Sequence, residues 1–358
     1  MTQPKGYNPD ETHVEDGLPR ERLRAVRPRT LVIEWVIALG VLLAINFAAF
    51  ALLDRFDPNR FRVQVEVKYD RLETAGAKYD SLILGDSTPN QGIMPSVLGK
   101  RVGGAWLNLA TVADLQAVNG AWMLGRYIDA YGPPKRVILC HVPEMWRRDL
   151  DPAAFVQTPF SIGQFDELDP PLNFAWDDRL WGAVTRYAPI YSKNTSLTEF
   201  AMKPWALRDL REDFQADGFM AVEGMTSEWA ESIERAAQSH AEKPYALSEH
   251  NRVAMERMIE MAETHGFDLY LLPGSVSEAL AASPGYRHNF VGMMADYQRW
   301  AASSDRVVLL SDRMQAFPDE MMYDEDHVNV LGAQAWSERA AAYLAEVIDA
   351  SAIEEVTP

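Results

Sequence analysis

A serine and a histidine that could form a catalytic pair lie near opposite ends of the sequence. Ser87 follows the apolar run 81–84 and a Gly-Asp pair, and His327 closes a short acidic stretch. A serine hydroxyl is a poor nucleophile at neutral pH, so it needs an imidazole to accept its proton and a carboxylate to orient that imidazole. The chain supplies all three groups, which predicts acyl transfer through a serine nucleophile.

The acidic stretch before His327 offers more than one orienting carboxylate. Asp324 precedes the histidine by three residues, close enough on one turn to accept a hydrogen bond from Nδ1 and leave Nε2 free for the serine. The side chains of Glu325 and Asp326 are expected to diverge from the imidazole because they are nearer in sequence. We therefore predict Asp324 as the orienting acid, with Asp326 as the reserve.

The residues around Ser87 predict a sharp turn at the end of a buried strand. Gly85 permits that turn after the apolar run, and Thr88 and Pro89 are expected to open a helix. The amino-terminal end of a helix carries a partial positive charge, which would stabilise negative charge developing near Ser87. This places the serine at the carboxyl end of a strand.

Short apolar strands alternate with helices along most of the chain after residue 78. The predicted strands are 81–84, 106–110, 136–142, 267–272 and 306–310, and the predicted helices are 114–131, 251–265, 290–302 and 333–348. This alternation predicts an α/β fold with a parallel sheet that is covered on both faces. Reactive groups in such folds gather at the carboxyl ends of the strands.

The alternation fails at about 147–249, which we interpret as an insertion in the domain. Its aromatic residues are Trp176, Trp181, Tyr187, Tyr191, Trp205 and Trp229. Such rings can stack on sugars or build the core of a lid, and we favour the core interpretation. If the insertion also has a functional role, we expect residues 150–245 to shape an acceptor site.

The amino-terminal region predicts a membrane anchor. Glu34 is the only ionisable residue from Leu31 to Leu53, and a run of that length crosses a bilayer as a helix. Five arginines lie within 20–29, which predicts a cytoplasmic amino terminus. A cleaved signal peptide is the rival interpretation, but its apolar core would be shorter. We expect a disordered tail at 1–30, an anchor at 31–53, a stalk at 54–78 and a catalytic domain at 79–350.

Composition excludes several classes of function. The 358 residues carry a net charge of −18, which disfavours nucleic-acid binding because it repels phosphate backbones. The single Cys140 excludes an intrachain disulfide and a CxxC site, and it is expected to be a buried thiol. No metal or cofactor is predicted, since His240, His250, His265 and His288 show no metal-ligand spacing.

Two stretches of the sequence resemble the SGNH, or GDSL-type, hydrolases. Gly85-Asp86-Ser87 and Asp324-x-x-His327 look like the first and last blocks of that family, and Gly92-Ile93-Met94-Pro95 behind an anchor is similar to its membrane-anchored group. That group includes alginate O-acetylation and D-alanyl-transfer proteins. The resemblance implies a three-layer α/β/α, flavodoxin-like domain in which Ser87 is the nucleophile, His327 the base and Asp324 the orienting acid.

Two blocks of the family that would supply oxyanion donors differ in this chain. The second block of the family has a glycine where this chain reads Asn108-Leu109-Ala110, but a backbone N–H survives that replacement, so Ala110 joins Ser87 as an expected donor. The third block has an asparagine that is absent after the strand 136–142. Asn90, Asn108 and His141 are the possible substitutes, and a structural role at the strand end is favoured for His141.

These observations together predict a single-pass bacterial inner-membrane protein with a periplasmic catalytic domain. It would move an acyl group, expected to be acetyl, through an acyl-serine onto an exported polysaccharide or envelope glycan. A membrane-bound O-acyltransferase is the expected partner. The alternatives are a tethered esterase or deacetylase with water as acceptor, and a non-catalytic scaffold for such an acyltransferase.

Overall fold

The computed structural model describes residues 28–56, 59–149, 151–155, 175–188, 190, 194–202 and 209–354. The chain divides into two units between Phe47 and Ala48, within helix α1 (Pro28–Phe56). Within α1, the 22 residues Leu31–Leu52 are long and apolar enough to cross a membrane. Only 6% of the 18-residue window used to assess hydropathy is buried, which distinguishes this helix from the core helix of a soluble protein. An amino-terminal signal sequence would meet the same criteria of length and composition.

The unit after Ala48 is built from alternating helices and strands. Its α-helices are α2 (Arg60–Thr74), α3 (Ser87–Gly92), α4 (Pro95–Val102), α5 (Gln116–Tyr131), α6 (Pro143–Arg147), α7 (Pro152–Phe155), α8 (Trp176–Tyr187), α9 (Asn194–Met202), α10 (Trp229–Glu242), α11 (Glu249–His265), α12 (Glu278–Ala281), α13 (Pro284–Ala301) and α14 (Val330–Glu354). Its strands are β1 (Ser81–Gly85), β2 (Trp106–Asn108), β3 (Arg136–His141), β4 (Asp268–Pro273), β5 (Ser275–Ser277), β6 (Val307–Leu309) and β7 (Gln315–Phe317).

Five of these strands form one parallel sheet in the order β2-β1-β3-β4-β6, and β5 pairs with β7 in a separate small sheet. Because all five strands run the same way, their carboxyl ends lie along one edge. The direction in which strands are added reverses at β1, and ligands in open α/β sheets bind at such a reversal. The predicted α/β fold with a parallel sheet is therefore confirmed, and Ser87 follows the strand at the reversal.

The strands bury both of their faces. Leu82 and Leu84 belong to a hydrophobic cluster that includes residues of α2, α5, α11 and α13. Ile83, which points to the opposite face, belongs to a second cluster with residues of α4 and α14. Burial on both faces explains why the strands read as continuous apolar runs rather than alternating ones.

Helix α2 occupies part of the range predicted to be a stalk, and here the structure differs from the prediction. Asn59 caps the helix through Oδ1, which accepts from the N–H of Arg62 at 3.1 Å. Val65, Tyr69 and Leu72 are buried in the same cluster as the sheet. Their spacing of four and three residues places them on one helical face, so residues 60–74 are part of the folded unit.

The described parts of the predicted insertion combine helices with turns and one antiparallel bridge between Phe214 and Met220, and they add no strand to the five-stranded sheet. The aromatic rings there do not all form a core, because Trp176, Trp181 and Tyr187 are 75%, 43% and 63% exposed. Trp229 packs against the second hydrophobic cluster. Tyr191 and Trp205 lie outside the described residues.

We expect Gly85→Ala to destabilise the protein by about 1–3 kcal/mol, the usual cost of overpacking. Gly85 has φ +151, and an added Cβ would overlap the carbonyl oxygen of Cys140 and lie 2.7 Å from Cγ of Pro89. Gly120→Ala is the matched control, since a Cβ there meets nothing within 4 Å and alanine favours a helix interior. Chemical unfolding of both variants is the measurement, and equal stabilities would contradict the crowding.

Candidate active site

Ser87 is the first residue of α3, directly after the end of β1. Asp86 is the N-cap of that helix, and its Oδ1 accepts from the N–H of Thr88 at 2.9 Å and from the hydroxyl of Thr88 at 2.7 Å. The expected helix after Gly85 is therefore present, and it begins at the serine itself. Capping by Asp86 satisfies donors that a helix start otherwise leaves unpaired.

The other oxygen of Asp86 ties the end of β1 to the end of β3. Oδ2 accepts from the N–H of Val142 at 3.0 Å and lies 3.2 Å from Nδ1 of His141. The side chains of Asp86 and His141 are each 1% exposed. Burial raises the pKa of Asp86, but the contacts with His141, Val142 and Thr88 outweigh burial and hold the pKa below its ordinary value. The carboxylate therefore remains charged and fixes the residue before Ser87.

His327 lies on a turn that is closed by backbone hydrogen bonds. The N–H of Tyr323 donates to the carbonyl of His327 at 2.7 Å, and Met322 forms an antiparallel bridge with Val328. Asn329 then caps α14, because its Oδ1 accepts from two N–H groups of the first turn at 3.0 and 3.2 Å. These contacts fix the imidazole between a closed turn and a capped helix.

The structure brings the predicted serine, histidine and aspartate together. Nε2 of His327 lies 2.7 Å from Oγ of Ser87, and Nδ1 lies 2.7 Å from Oδ1 of Asp324. The same Oδ1 accepts from the backbone N–H of His327 at 2.9 Å. This is the geometry that a serine nucleophile, a general base and an orienting acid require.

Asp326 was expected to diverge from the imidazole, and that expectation is wrong. Its Oδ1 lies 2.8 Å from Nδ1 of His327, so two carboxylates face one ring nitrogen. The turn folds back because the N–H of Asp326 donates to Asp324 at 3.2 Å and its carbonyl accepts from the hydroxyl of Ser275 at 2.6 Å. The contact with Ser275 comes from a distant part of the chain, so sequence spacing could not reveal it.

The charges around His327 favour its doubly protonated, imidazolium form. Burial lowers its pKa, but Asp324 and Asp326 outweigh burial and raise the pKa well above its ordinary value. Burial raises the pKa of Asp324, but His327 outweighs burial and lowers the pKa. Burial, opposed by His327 and reinforced by Asp324 and Glu325, raises the pKa of Asp326 to about 7. Asp324 is therefore the carboxylate that is fully ionised at neutral pH.

Asp324, Asp326 and His327 each have an atom that could bind a metal ion, and these atoms lie within 4.8 Å of one another, a spacing that a cation could bridge. A cation on Nδ1 of His327 would require the lone pair there, and Nε2 would then carry the proton and donate to Ser87. A general base requires the opposite arrangement, with Nδ1 protonated and Nε2 accepting. The two uses exclude each other, and we assign Asp324 and Asp326 to hydrogen bonding.

Two of the expected oxyanion donors are already engaged, which corrects the prediction for them. Nδ2 of Asn108 donates to the carbonyls of Pro89 and Ile93 at 2.8 and 3.0 Å. The N–H of Ala110 donates to Oδ1 of Asn108 at 3.1 Å. Asn108 is fully buried and holds the end of α3, so it positions the helix that carries Ser87 instead of facing a substrate.

The remaining oxyanion candidates are not paired in this way. The backbone N–H of Ser87 begins a helix, where N–H groups have no intrahelical partner. Both amide atoms of Asn90 are buried and without a hydrogen-bond partner among the described residues. His141 uses Nδ1 for Asp86, whereas Nε2 is buried and unpartnered in the same part of the chain. Ser87 and Asn90 remain predicted donors.

Sequence reasoning missed Lys68, a buried lysine in α2. Its Nζ donates to the carbonyl of Asn108 at 2.8 Å, to Oδ1 of Asn108 at 3.1 Å and to the carbonyl of Gly218 at 2.6 Å. Burial lowers the pKa of Lys68 well below its ordinary value. The available signal was a lysine between the apolar residues Val67 and Tyr69. Its partners come from distant segments that spacing does not bring together.

No protein-family model matches this chain, and a search of curated proteins finds no match to it. The assignment of the site therefore depends on its geometry. Ser87, His327 and Asp324 are joined by two short contacts at the carboxyl edge of the sheet. The buried carboxylate of Asp86 fixes the turn that carries Ser87, and a turn closed by backbone hydrogen bonds fixes His327.

We expect labelling of Ser87 by a fluorophosphonate to slow as the pH is lowered, with the midpoint above the ordinary histidine pKa of 6.5. The raised pKa keeps His327 protonated to a higher pH, and a protonated imidazole cannot accept the serine proton. Asp324→Asn removes a charge that raises this pKa, so the midpoint should move down. The measurement is labelling rate against pH, and a midpoint below 6.5 in the native protein would contradict the charge assignment.

Asp324→Asn and Asp326→Asn should differ in their effect on the rate. We expect a loss of about 10³- to 10⁴-fold for Asp324, comparable to losses when an orienting aspartate is removed from a triad, and a clearly smaller loss for Asp326. Asp324 also accepts from two backbone N–H groups and is ionised at neutral pH, whereas burial raises the pKa of Asp326 to about 7, so that it is partly protonated there. Single-turnover acylation rates are the measurement, and the reverse order would make Asp326 the orienting acid.

Proposed function

We propose that this chain is a membrane-anchored serine acyltransferase that moves an acyl group onto a hydroxyl of an exported or envelope glycan. The observation that carries the proposal is the contact of 2.7 Å between Nε2 of His327 and Oγ of Ser87, with the opposite ring nitrogen on Asp324. A serine paired in this way is activated for attack on an ester carbonyl.

The reaction proceeds in two halves through an acyl-serine. Oγ of Ser87 attacks the carbonyl of the acyl donor while its proton moves to Nε2 of His327, and that proton then leaves with the departing alcohol. In the second half an acceptor hydroxyl gives its proton to Nε2 and attacks the acyl carbon. The acyl–Oγ bond breaks, the proton returns to the serine, and the site is restored. The ionised Asp324 stabilises the imidazolium in both halves.

The resemblance to anchored SGNH proteins supports the finer parts of the proposal. The strand order with reversal at β1 and the burial of both sheet faces suit a three-layer α/β/α, flavodoxin-like domain. The apolar helix with arginines before it suits a single-pass inner-membrane protein whose catalytic domain is periplasmic. Acetyl is the proposed acyl group, and a membrane-bound O-acyltransferase is the proposed partner.

The experiment supplies the purified full chain with a chromogenic acetyl ester, with and without a neutral oligosaccharide. We expect the native protein to release chromophore and to form acetylated oligosaccharide, and Ser87→Ala to lose both. Gly120→Ala, in α5, is the control for expression and purification of a variant, since a Cβ there meets nothing within 4 Å. Intact transfer by Ser87→Ala would refute the serine mechanism.

Two other outcomes identify the alternatives. Release of chromophore with acetate as the only product, at every acceptor concentration, would make the protein a tethered esterase or deacetylase. Failure of Ser87 to react with either the ester or a fluorophosphonate would favour a non-catalytic scaffold. One observation favours the scaffold: the N–H groups of Asn108 and Ala110, which were expected to bind the oxyanion, are engaged in other hydrogen bonds.

A further inference from the structure

A cavity of about 550 Å³ with several charged residues in its lining lies in the folded unit, and its lining does not include Ser87 or His327. Asp114 and Gln116 line one part of it, and Glu144, Arg147 and Arg148 line another. Its volume falls in the range of sites for small ligands. The triad uses none of these side chains, so the cavity requires its own explanation.

Sheet topology places this cavity beside the nucleophile. The residues 114–116 follow β2 and the residues 144–148 follow β3, while Ser87 follows β1, which lies between those two strands. Helix α6 begins one residue after Val142, whose N–H binds the carboxylate of Asp86. Arg148 is also close enough to Asp326 for that carboxylate to raise its pKa. The cavity and the triad therefore share the carboxyl edge of the sheet.

Both arginines that line the cavity already have partners. Arg148 bridges the carboxylates of Asp114 and Glu144, the latter at 2.8 Å. Burial raises the pKa of Glu144, but Arg148, together with Arg147 and His240, outweighs burial and lowers the pKa, so this carboxylate stays ionised. Arg147 donates to the carbonyl of Lys243 at 2.7 Å and to the hydroxyl of Ser239 at 3.0 Å. An ionic ligand would have to displace these pairs.

Hydrogen-bond acceptors nevertheless remain open in the cavity. Asp114 and Glu144 each use one oxygen on Arg148, and the second oxygen of each has no partner among the described residues. Gln116 donates through Nε2 to the carbonyl of Asp149 at 2.6 Å, while its buried Oε1 has no partner there. Lys243 adds an exposed ammonium donor at the rim. Open acceptors beside carboxylates suit ligands that donate from neutral hydroxyls.

We propose that this cavity binds a neutral sugar unit of the glycan acceptor, with Asp114, Glu144 and Gln116 accepting from its hydroxyls. The role of the bound sugar in acyl transfer rests on the proposed function, but the binding site consists of residues other than Ser87, His327 and Asp324. The lining holds four acidic residues, Asp114, Glu144, Asp149 and Asp151, against three basic ones, Arg147, Arg148 and Lys243. This excess and the chain charge of −18 disfavour uronate or phosphate groups. A hydroxyl of the same glycan then lies at the sheet edge where the acyl-serine forms.

The test uses the full chain in lipid nanodiscs, without sugar-based detergents. Affinities are measured for cellohexaose, maltohexaose, chitohexaose, mannohexaose and hexagalacturonate. We expect saturable binding of at least one neutral hexasaccharide and weaker binding of hexagalacturonate. Glu144→Gln and Asp114→Asn should each lower that affinity at least about tenfold, as expected for loss of a hydrogen bond to a charged group. Two variants are used because each substitution also removes a charge from the bridge to Arg148.

Glu256→Gln is the matched control, since Glu256 pairs with an arginine on the exposed face of α11 and is not part of the cavity lining. We expect it to bind as the native chain does. Absence of binding by all four neutral sugars, tightest binding of hexagalacturonate, or unchanged affinity in both cavity variants would overturn the inference.

Parallel labelling of Ser87 separates this inference from the proposed function. If sugar binding depends on the cavity residues but Ser87 neither labels nor transfers, the acyltransferase proposal fails and the sugar site stands. If Ser87 labels and transfers but no neutral sugar binds, the sugar site fails and the acyltransferase proposal stands. In a chain that retains Ser87, Glu144→Gln should also lower the ratio of sugar acylation to ester hydrolysis.

Discussion

The hydrogen bond between Ser87 and His327 depends on close packing between two elements that are 240 residues apart in sequence. The serine begins α3, and the histidine lies just before α14. Oγ of Ser337 in α14 accepts from the N–H of Met94 at 2.8 Å and lies 3.3 Å from the carbonyl of Gly92, while its hydroxyl donates to the carbonyl of Ala333 at 2.6 Å. An added Cβ at Gly92 would overlap the ring of Trp336. The absence of a side chain at Gly92 therefore permits the helix approach that brings the two reactive groups together.

A buried charge fixes the other side of the serine. Asp86 loses most of its hydration, which is costly for a carboxylate unless donors replace the water. Thr88 supplies two donors and Val142 supplies a third, and His141 lies within hydrogen-bonding distance. Because these donors belong to α3 and to the end of β3, the cost of burying one carboxylate is offset by contacts that also set the serine's turn.

Local sequence was sufficient for the parts of the fold and the site that depend on local patterns. Apolar runs located the strands of the main sheet, and the spacing of Asp324 and His327 fixed one contact. The position of Asp326 depends on Ser275, and Asn108 is held by Lys68, so these contacts join distant segments. The same limit applies to α2, because its apolar face is recognisable only once the sheet it covers is known. The hydrogen bond from Ala110 to Asn108 is local, but it was not recognised because Asn108 was expected to face a substrate.

The most direct test of the account is to identify the acylated residue. The full chain is mixed briefly with a chromogenic acetyl ester, quenched in acid and digested, and the acetylated peptides are mapped by mass spectrometry. The account predicts acetyl on Ser87 in the native chain and its loss in His327→Gln. Acetyl groups confined to other residues, or equal acetylation of Ser87 with and without the imidazole, would contradict it.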